Sequence, residues 1–332
     1  MSMSDDNQSG HSPFHEGELM VQEKLGVKEQ VAKYAPRMIR DFMPDQHREL
    51  FEKLPFVILG GLDEAGDVWA TIMAGTPGFV EAPDTTNLVI NAALFDGDPL
   101  TDGLLTGSKV GFLGLETTTR RRNRMNGRVA GKSDQMLAIK VEQSFGNCPQ
   151  YIQKRTLEIT RGSAADIRSH KTDTLSDSAK QTIEQADTFF IASRTADLSD
   201  DPATGLDVSH RGGMPGFIEI VDDTTIRIPD YAGNRIYNTI GNIMSDGRVG
   251  LLFVDHEQNA LLQISGVARI IWDDELTEQG PEGRGKEVER MIEVECKSVV
   301  QTFNSAQFSE ALIERSPIFK RFAKNNSLDS DA

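Results

Sequence analysis

The stretch "GMPGFIEIVDDTT" at residues 213–225 restates "GTPGFVEAPDTT", which begins at Gly75, 138 residues earlier (213 − 75). Pro77 and Pro215 cannot donate a ladder hydrogen bond, and the glycine after each permits a bend or a close backbone approach. Phe79-Val80 and Phe217-Ile218 then resume the chain as strand, and an Asp-rich turn leads into the next strand as in a hairpin. The echo extends outward. "FVILGG" from Phe56 resembles "FFIASR" from Phe189, and "SKVGFLGLE" from Ser108 matches "GRVGLLFVD" from Gly247, 139 apart (247 − 108). Gly127 falls opposite Gly266, again 139 apart (266 − 127), and Cys148 is read as the counterpart of Cys296. Collinear blocks at nearly constant spacing mark a duplication.

Each unit reads mainly as strand, in short apolar or alternating runs such as "DVWATIM", "TTIRI" and "RVGLLFV", with turn signals about every dozen residues. That pattern predicts a small barrel in each unit. Helical signals are fewer. "PDQHRELFEKL" opens with proline at a helix start, and "KEVERMIEVECKSVVQTF" reads as part helix and part strand. The expected organisation is an N-terminal arm over residues 1–40, a first unit over 41–162, a polar linker over 163–180, a second unit over 181–303, and a C-terminal helix and tail over 304–332. The linker reading includes the start of the second unit's first helix. The ends, before about residue 16 and after about 325, are expected to be mobile.

The 332 residues suit two domains with cores of their own. Lys and Arg number 35 against 51 Asp and Glu, a net charge of −16. So acidic a surface repels nucleic acid and anionic membranes, and neither is expected as a partner. Two cysteines without CxxC or Cys/His spacing argue against structural zinc, and no metal site is expected. Reduced thiols and the absence of a leader-like apolar stretch predict a cytoplasmic protein.

The copies differ most after the repeated phrase. The second has "IPDYAGNRIYNTIGNI", with Asp230, Asn234, Arg235 and Asn238 around a glycine-containing turn; the first has "INAALFDGDPLTDGLLTG" and no cation there. A guanidinium is the natural partner of a phosphate, so the second copy alone looks fit to hold an anion. The alternative for Arg235 is a solvated surface cation. The first unit has its own anomaly, "TTTRRRNRMNGR", five arginines within nine residues: Arg120, Arg121, Arg122, Arg124 and Arg128. Such a run needs an anion or facing carboxylates nearby, or else is a solvated charged turn. "GPEGRGKE" has phosphate-loop spacing, but Glu287 stands where Ser or Thr is required, so it is rejected. His210 and His256 stand alone, and both cysteines read as core or strand-end thiols.

"DVSHRGGMPGFIEIVDDTTIRIPDYAGNRIYNTIGNIMSDGRVGLLFVD", "LLQISGVARI", "TRRRNRMNGRV" and "FGNCPQYIQKR" together resemble the flavin-nucleotide-binding branch of the pyridoxamine 5′-phosphate oxidase-like proteins. The resemblance spans roughly residues 40–300. It implies a mainly β fold with flanking helices, a duplicated FMN-binding split β-barrel in which one chain forms a pseudo-dimer, with a homodimer of such chains left open. It implies FMN as cofactor, and by position Phe217 and Ile218 beside the flavin ring, Pro229 and Asp230 on the next strand, and Asn234 and Arg235 at the phosphate. Ser209 and Arg211 are further contacts so implied, with Arg121 and Arg122 completing the site from the facing barrel. This chain has Ile236 and Leu261 where the oxidase proper has a cation and a glutamine, and it lacks the oxidase's Trp- and Arg-containing tail. The implied function is an FMN-dependent oxidoreductase acting on a small-molecule substrate or electron donor, with no catalytic acid or base nominated. The alternatives are a flavin-binding or storage module without turnover, and a split barrel using haem or a deazaflavin; haem would need an axial ligand, for which only His210 is near.

Overall fold

A computed structural model describes residues 12–272 and 288–319. The rejected "GPEGRGKE" segment and the far C-terminal tail lie outside the described residues. The repeat is visible as two sheets of the same strand order. The first unit comprises β1 (Phe56–Leu62), β2 (Val68–Ala74), β3 (Val80–Glu81), β4 (Asn87–Ile90), β5 (Lys109–Glu116), β6 (Arg121–Ser133) and β7 (Met136–Gly146), ordered β2-β1-β5-β6-β7-β4-β3. After a connecting β8 (Lys154–Arg161) and β9 (Arg168–Thr172), the second unit comprises β10 (Thr188–Arg194), β11 (Leu206–Gly212), β12 (Glu219–Ile220), β13 (Thr225–Tyr231), β14 (Arg248–Asp255), β15 (Ala260–Ile271) and β16 (Val288–Phe303). Their order, β11-β10-β14-β15-β16-β13-β12, repeats the first position for position. The chain is a duplicated split β-barrel.

The repeated phrase is a turn, and its letters are dictated by sterics. Gly78 and Gly216 hold φ of +96° and +82°, a region open to glycine. Their N–H groups bond the carbonyls of Glu52 and Glu184, at 2.8 Å each. Those carbonyls lie near the ends of α4 (Asp45–Lys53) and α5 (Asp177–Gln185), the helices that open each unit. The ring of Phe79 folds back onto Gly75 and that of Phe217 onto Gly213, where a Cβ would stand 2.6 and 2.2 Å from ring carbons. In the turn that follows, Asp84 accepts from the Thr86 N–H at 2.7 Å and Asp222 from the Thr224 N–H at 2.8 Å.

Each barrel has its own apolar core, Phe51, Trp69 and Phe112 in the first, Phe189, Ile228 and Phe253 in the second. A third cluster, including Ile58, Ile72, Phe190, Val208 and Leu252, lies between them. Backbones touch there because glycines allow it. A Cβ on Gly111 of β5 would stand 2.8 Å from the Asp207 backbone, and one on Gly250 of β14 would stand 2.5 Å from the Trp69 backbone. The two contacts are equivalent, since 111 + 139 = 250 and 69 + 138 = 207.

Four expectations change. "KEVERMIEVECKSVVQTF" carries no helix: residues 288–303 are one strand, paired with β13 and β15, and that pairing uses its β-branched alternation. Residues 306–314 form β17 (Ala306–Glu314), paired with β8, at the start of the stretch expected as C-terminal helix and tail; helix begins at residue 317, at the end of the described residues. Within the expected linker, β9 pairs with β16; its side chains are all exposed, so a polar sequence can add to a sheet edge. Cys296 pairs with Gly266 as Val141 pairs with Gly127, so Val141 is its counterpart, and Cys148 lies beyond the end of β7. The N-terminal arm folds as α1 (Glu16–Lys24), α2 (Lys28–Ala32) and α3 (Ala35–Met38), and α1 packs on α6 (Asn238–Ser245). Gly17 and Gly241 permit that contact: a Cβ on Gly17 would lie 2.2 Å from the Gly241 carbonyl oxygen. Among the described residues no helix is long and apolar enough to cross a membrane.

Candidate functional site

Where the last strands of the second barrel meet β6 of the first, a cleft opens. Its walls come from β11 (Ser209, Arg211), β13 (Pro229, Asp230), the loop through Asn234 and Arg235, and the start of α6. Phe217 of the repeated turn lies on one side and Arg122 and Arg124 of the first unit on the other. Eight residues expected at a site from the sequence thus share one cleft: Ser209, Arg211, Phe217, Pro229, Asp230, Asn234, Arg235 and Arg122.

Two do not. Ile218 is 3% exposed within the second barrel's core. Arg121 is exposed and donates to the Gln46 carbonyl, away from the cleft. The period of two along a strand explains the second miss, for β6 turns Arg122 and Arg124 to one face and Arg121 and Asn123 to the other. Arg124 is the residue that alternation would have found.

The cleft gathers four guanidiniums, those of Arg122, Arg124, Arg211 and Arg235. Arg124 is 7% exposed; its NH1 donates to Asp207 and to Asn238, both at 3.0 Å, and its NH2 to Ser209 Oγ at 2.5 Å. Arg211 pairs with Asp230, which also lies 3.5 Å from buried Arg290. The Nε–H groups of Arg122, Arg124 and Arg211 are all buried without an acceptor, as is the Asn147 amide. Burial, with Arg124 and Arg211 nearby, pulls the Arg122 guanidinium down to about 9. Buried donors without acceptors are costly. Three such donors belong to residues that line this one cleft.

The backbone adds to this. α6 begins without a side-chain cap, at Tyr237 with φ of +65°, and Asn238, Thr239 and Ile240 of its first turn line the cleft. Uncapped N–H groups and the helix dipole favour negative charge there. Tyr151 and Arg235 also hold left-handed φ, +67° and +62°. Such conformations cost free energy for non-glycine residues and concentrate at binding sites. Tyr151 stacks on Tyr231 at 5.2 Å between centroids and donates to the Ala232 carbonyl at 2.7 Å. Asn147, Cys148, Gln150 and Tyr151 reach the cleft from the "FGNCPQY" segment. Arg235 is exposed at the rim and donates to Gln30 at 3.1 Å, so its side chain is engaged by the N-terminal arm.

The equivalent place in the first unit lacks the cleft's guanidiniums, although a cavity of about 340 Å³ opens there beside Met73 and residues 92–97. Leu261 and Gln263 of β15 stand where β6 has Arg122 and Arg124 (122 + 139 = 261; 124 + 139 = 263). Thr71 and Met73 replace Ser209 and Arg211 (71 + 138 = 209; 73 + 138 = 211). Thr71 and Gln263 both donate to Asp98, and Leu100 and Leu104 are fully buried. Thr71, Gln263 and Asp98 thereby satisfy one another, and Asp98 also accepts from the Leu100 N–H. Among the described residues no group of three His, Cys, Asp or Glu side chains could hold a metal ion.

Residues 175–303 match the sequence family described as pyridoxamine 5′-phosphate oxidase, and are pyridoxamine 5′-phosphate oxidase-like. Among solved structures, HupZ of Group A Streptococcus is 14% identical, covering 42% of this chain and 97% of its own, with a TM-score of 0.29. A candidate pyridoxamine 5′-phosphate oxidase of Lactobacillus delbrueckii is 12% identical over 42% of this chain and 98% of its own, with a TM-score of 0.31. The FAD-binding protein of Mycobacterium smegmatis is 13% identical over 40% and 98%, with a TM-score of 0.26. No curated protein matches the chain.

Proposed function

We propose that the cleft binds FMN, one molecule per chain, and that the protein is an FMN-dependent oxidoreductase of the pyridoxamine 5′-phosphate oxidase-like superfamily. The observation that carries this reading is the set of buried, unanswered Nε–H groups on Arg122, Arg124 and Arg211, around a cleft that also receives the N-terminus of α6. That donor set fits a phosphate, whose oxygens accept several charge-assisted hydrogen bonds at once. FMN is favoured over a dinucleotide because the described residues offer one such cradle. When bound, the flavin supplies the hydride chemistry, and the protein supplies position and charge.

The chain's own residues have definable tasks. Arg122, Arg124, Arg211 and Arg235 hold the anion, and Asp207 and Asp230 hold two of those guanidiniums in place. Phe217 and the Tyr151–Tyr231 stack give the cleft an apolar, aromatic margin that suits a flat ring. The test is an absorption spectrum of the purified protein, followed by mass spectrometry of the released chromophore. Expected is a yellow protein releasing FMN. Release of FAD, a deazaflavin or haem, or no uptake at saturating FMN, rejects the assignment.

A further inference from the structure

Behind the cleft, across the ring of His210, lies a second and larger cavity of about 400 Å³. It sits where the barrels meet. Phe56, Ile72 and Leu115 of the first unit and Phe190 and Val254 of the second form its apolar wall. Apart from solvent-exposed Glu257, the carboxylates at its margin are already answered. Arg155 pairs with Asp187 and with Glu310, the latter at 2.9 Å; His256 reaches Glu310 at 3.0 Å; Thr182 donates to Asp255 at 2.8 Å.

Two lining residues break that pattern. His210 is 5% exposed, and neither ring nitrogen has a partner on another residue. Thr188 has a buried Oγ1 that is likewise unpartnered. Burial and the neighbouring Arg122, Arg155 and Arg211 hold the His210 pKa well below its ordinary value, so the ring is neutral, with one N–H and one bare nitrogen. The fold does not require polar atoms here. In the first unit Ile72 takes the place of His210 (72 + 138 = 210). Phe56 takes that of Thr188, since Phe56 pairs with Ala74 as Thr188 pairs with Gly212. Orphaned polar groups in a position that can be apolar are a cost that a ligand would repay.

We infer that this cavity is a second binding site, for a neutral, largely apolar aromatic molecule carrying a carbonyl group, with His210 and Thr188 as its polar anchors. Neutrality follows from the paired margin, because an ionic ligand would have to break an existing ion pair or remain unpaired. The carbonyl follows from the anchors, an imidazole N–H and a hydroxyl with nothing to donate to. The volume suits a fused two-ring compound.

The experiment is equilibrium dialysis of the protein as purified against 2-acetylnaphthalene, with 2-ethylnaphthalene and 2-naphthoate as comparators. Saturable binding of one 2-acetylnaphthalene per chain is expected, at least tenfold tighter than either comparator. Thr188→Val should reduce the preference over 2-ethylnaphthalene about threefold or more, and His210→Phe should abolish it. Leu157→Trp, which fills the cavity from the β8 side, should weaken binding more than tenfold in a protein that melts normally. This titration is read separately from the FMN titration: ketone binding without FMN uptake rejects the flavin assignment alone, and FMN uptake without ketone binding rejects the cavity assignment alone. No saturable binding, equal affinity for the two neutral compounds, tighter binding of naphthoate, or indifference to Leu157→Trp would overturn the inference.

Discussion

At the scale of single residues, Arg122 and Arg124 decide the site. They come from one barrel and face a cleft built by the other. Replacing both with alanine is expected to weaken FMN binding by ~1.5–3 kcal/mol or more, roughly tenfold to over a hundredfold, as for loss of a charged hydrogen bond. Arg121→Ala, one residue away, should leave the flavin titration unchanged; equal losses would mean the strand's alternation is misassigned. The sequence made the arginine run conspicuous but hid which members count. Choosing between Arg121 and Arg124 requires knowing that the run is strand from its second residue, and five consecutive polar positions carry no hydrophobic alternation from which to read a face.

At the scale of elements, the N-terminal arm matters more to the site than its composition indicates. Tyr34 donates to the Asn234 carbonyl at 3.0 Å, Gln22 to the Ile236 carbonyl at 3.3 Å, and Asn238 donates to Glu18 at 2.6 Å. The arm therefore braces the loop that carries Arg235. Its first helix is capped by His15, whose Nδ1 accepts from the Gly17 N–H at 3.1 Å. Burial holds His15 down to about 4 from its ordinary 6.5. A base with a lowered folded pKa contributes stability that is present above pH 6.5 and lost as pH falls toward 4. Buried Glu18 is raised by burial and works in the opposite sense, gaining as it is protonated. Comparison with His15→Asn, a cap that does not titrate, isolates the histidine. Amide protection in α1, corrected for the intrinsic pH dependence of exchange, should fall between pH 6.5 and 4 in the native protein and less so in the variant. Matching profiles would remove His15 from this role. The arm's docking was not legible because its partners lie some 200 residues away, and a small, weakly amphipathic helix does not announce its contact. The same holds for β9, a polar strand that forms on the sheet edge at β16, and for β17, which pairs with distant β8 in a two-stranded sheet of their own. The turn at residues 213–217 was legible, since Gly, Pro and Phe there each answer a local steric demand that also holds in the other copy.

At the scale of the whole molecule, the two halves meet through backbone. Gly111→Val or Gly250→Val would drive a side chain into the facing strand, and each is expected to destabilise the protein by ~1–3 kcal/mol or more, as overpacking does. Because the first barrel supplies Arg122 and Arg124, a partly opened interface should also lose flavin. Calorimetry with measured flavin content checks both, and a valine variant that melts lower yet retains full flavin would argue that the cleft does not depend on the interface. Saturation should come at one FMN per chain. Two would mean that the first unit also holds a flavin.

The equivalent pairs of Arg122 with Leu261 and Arg124 with Gln263 have a genetic consequence. In a dimer of identical chains, one codon governs both sites, and losing an arginine at one site means losing it at the other. Joining the halves in one reading frame gives each site its own codons. One site can then be filled with Leu100, Leu104 and Asp98 and serve as scaffold, while its sister keeps its cations. Asymmetry between paired sites becomes heritable, and substitutions that would be lethal in a symmetric ancestor become neutral on the silent side. A mutational scan of every position should display this directly: changes at Leu261 and Gln263 that conserve packing should be tolerated for flavin retention, and changes at Arg122 and Arg124 should not.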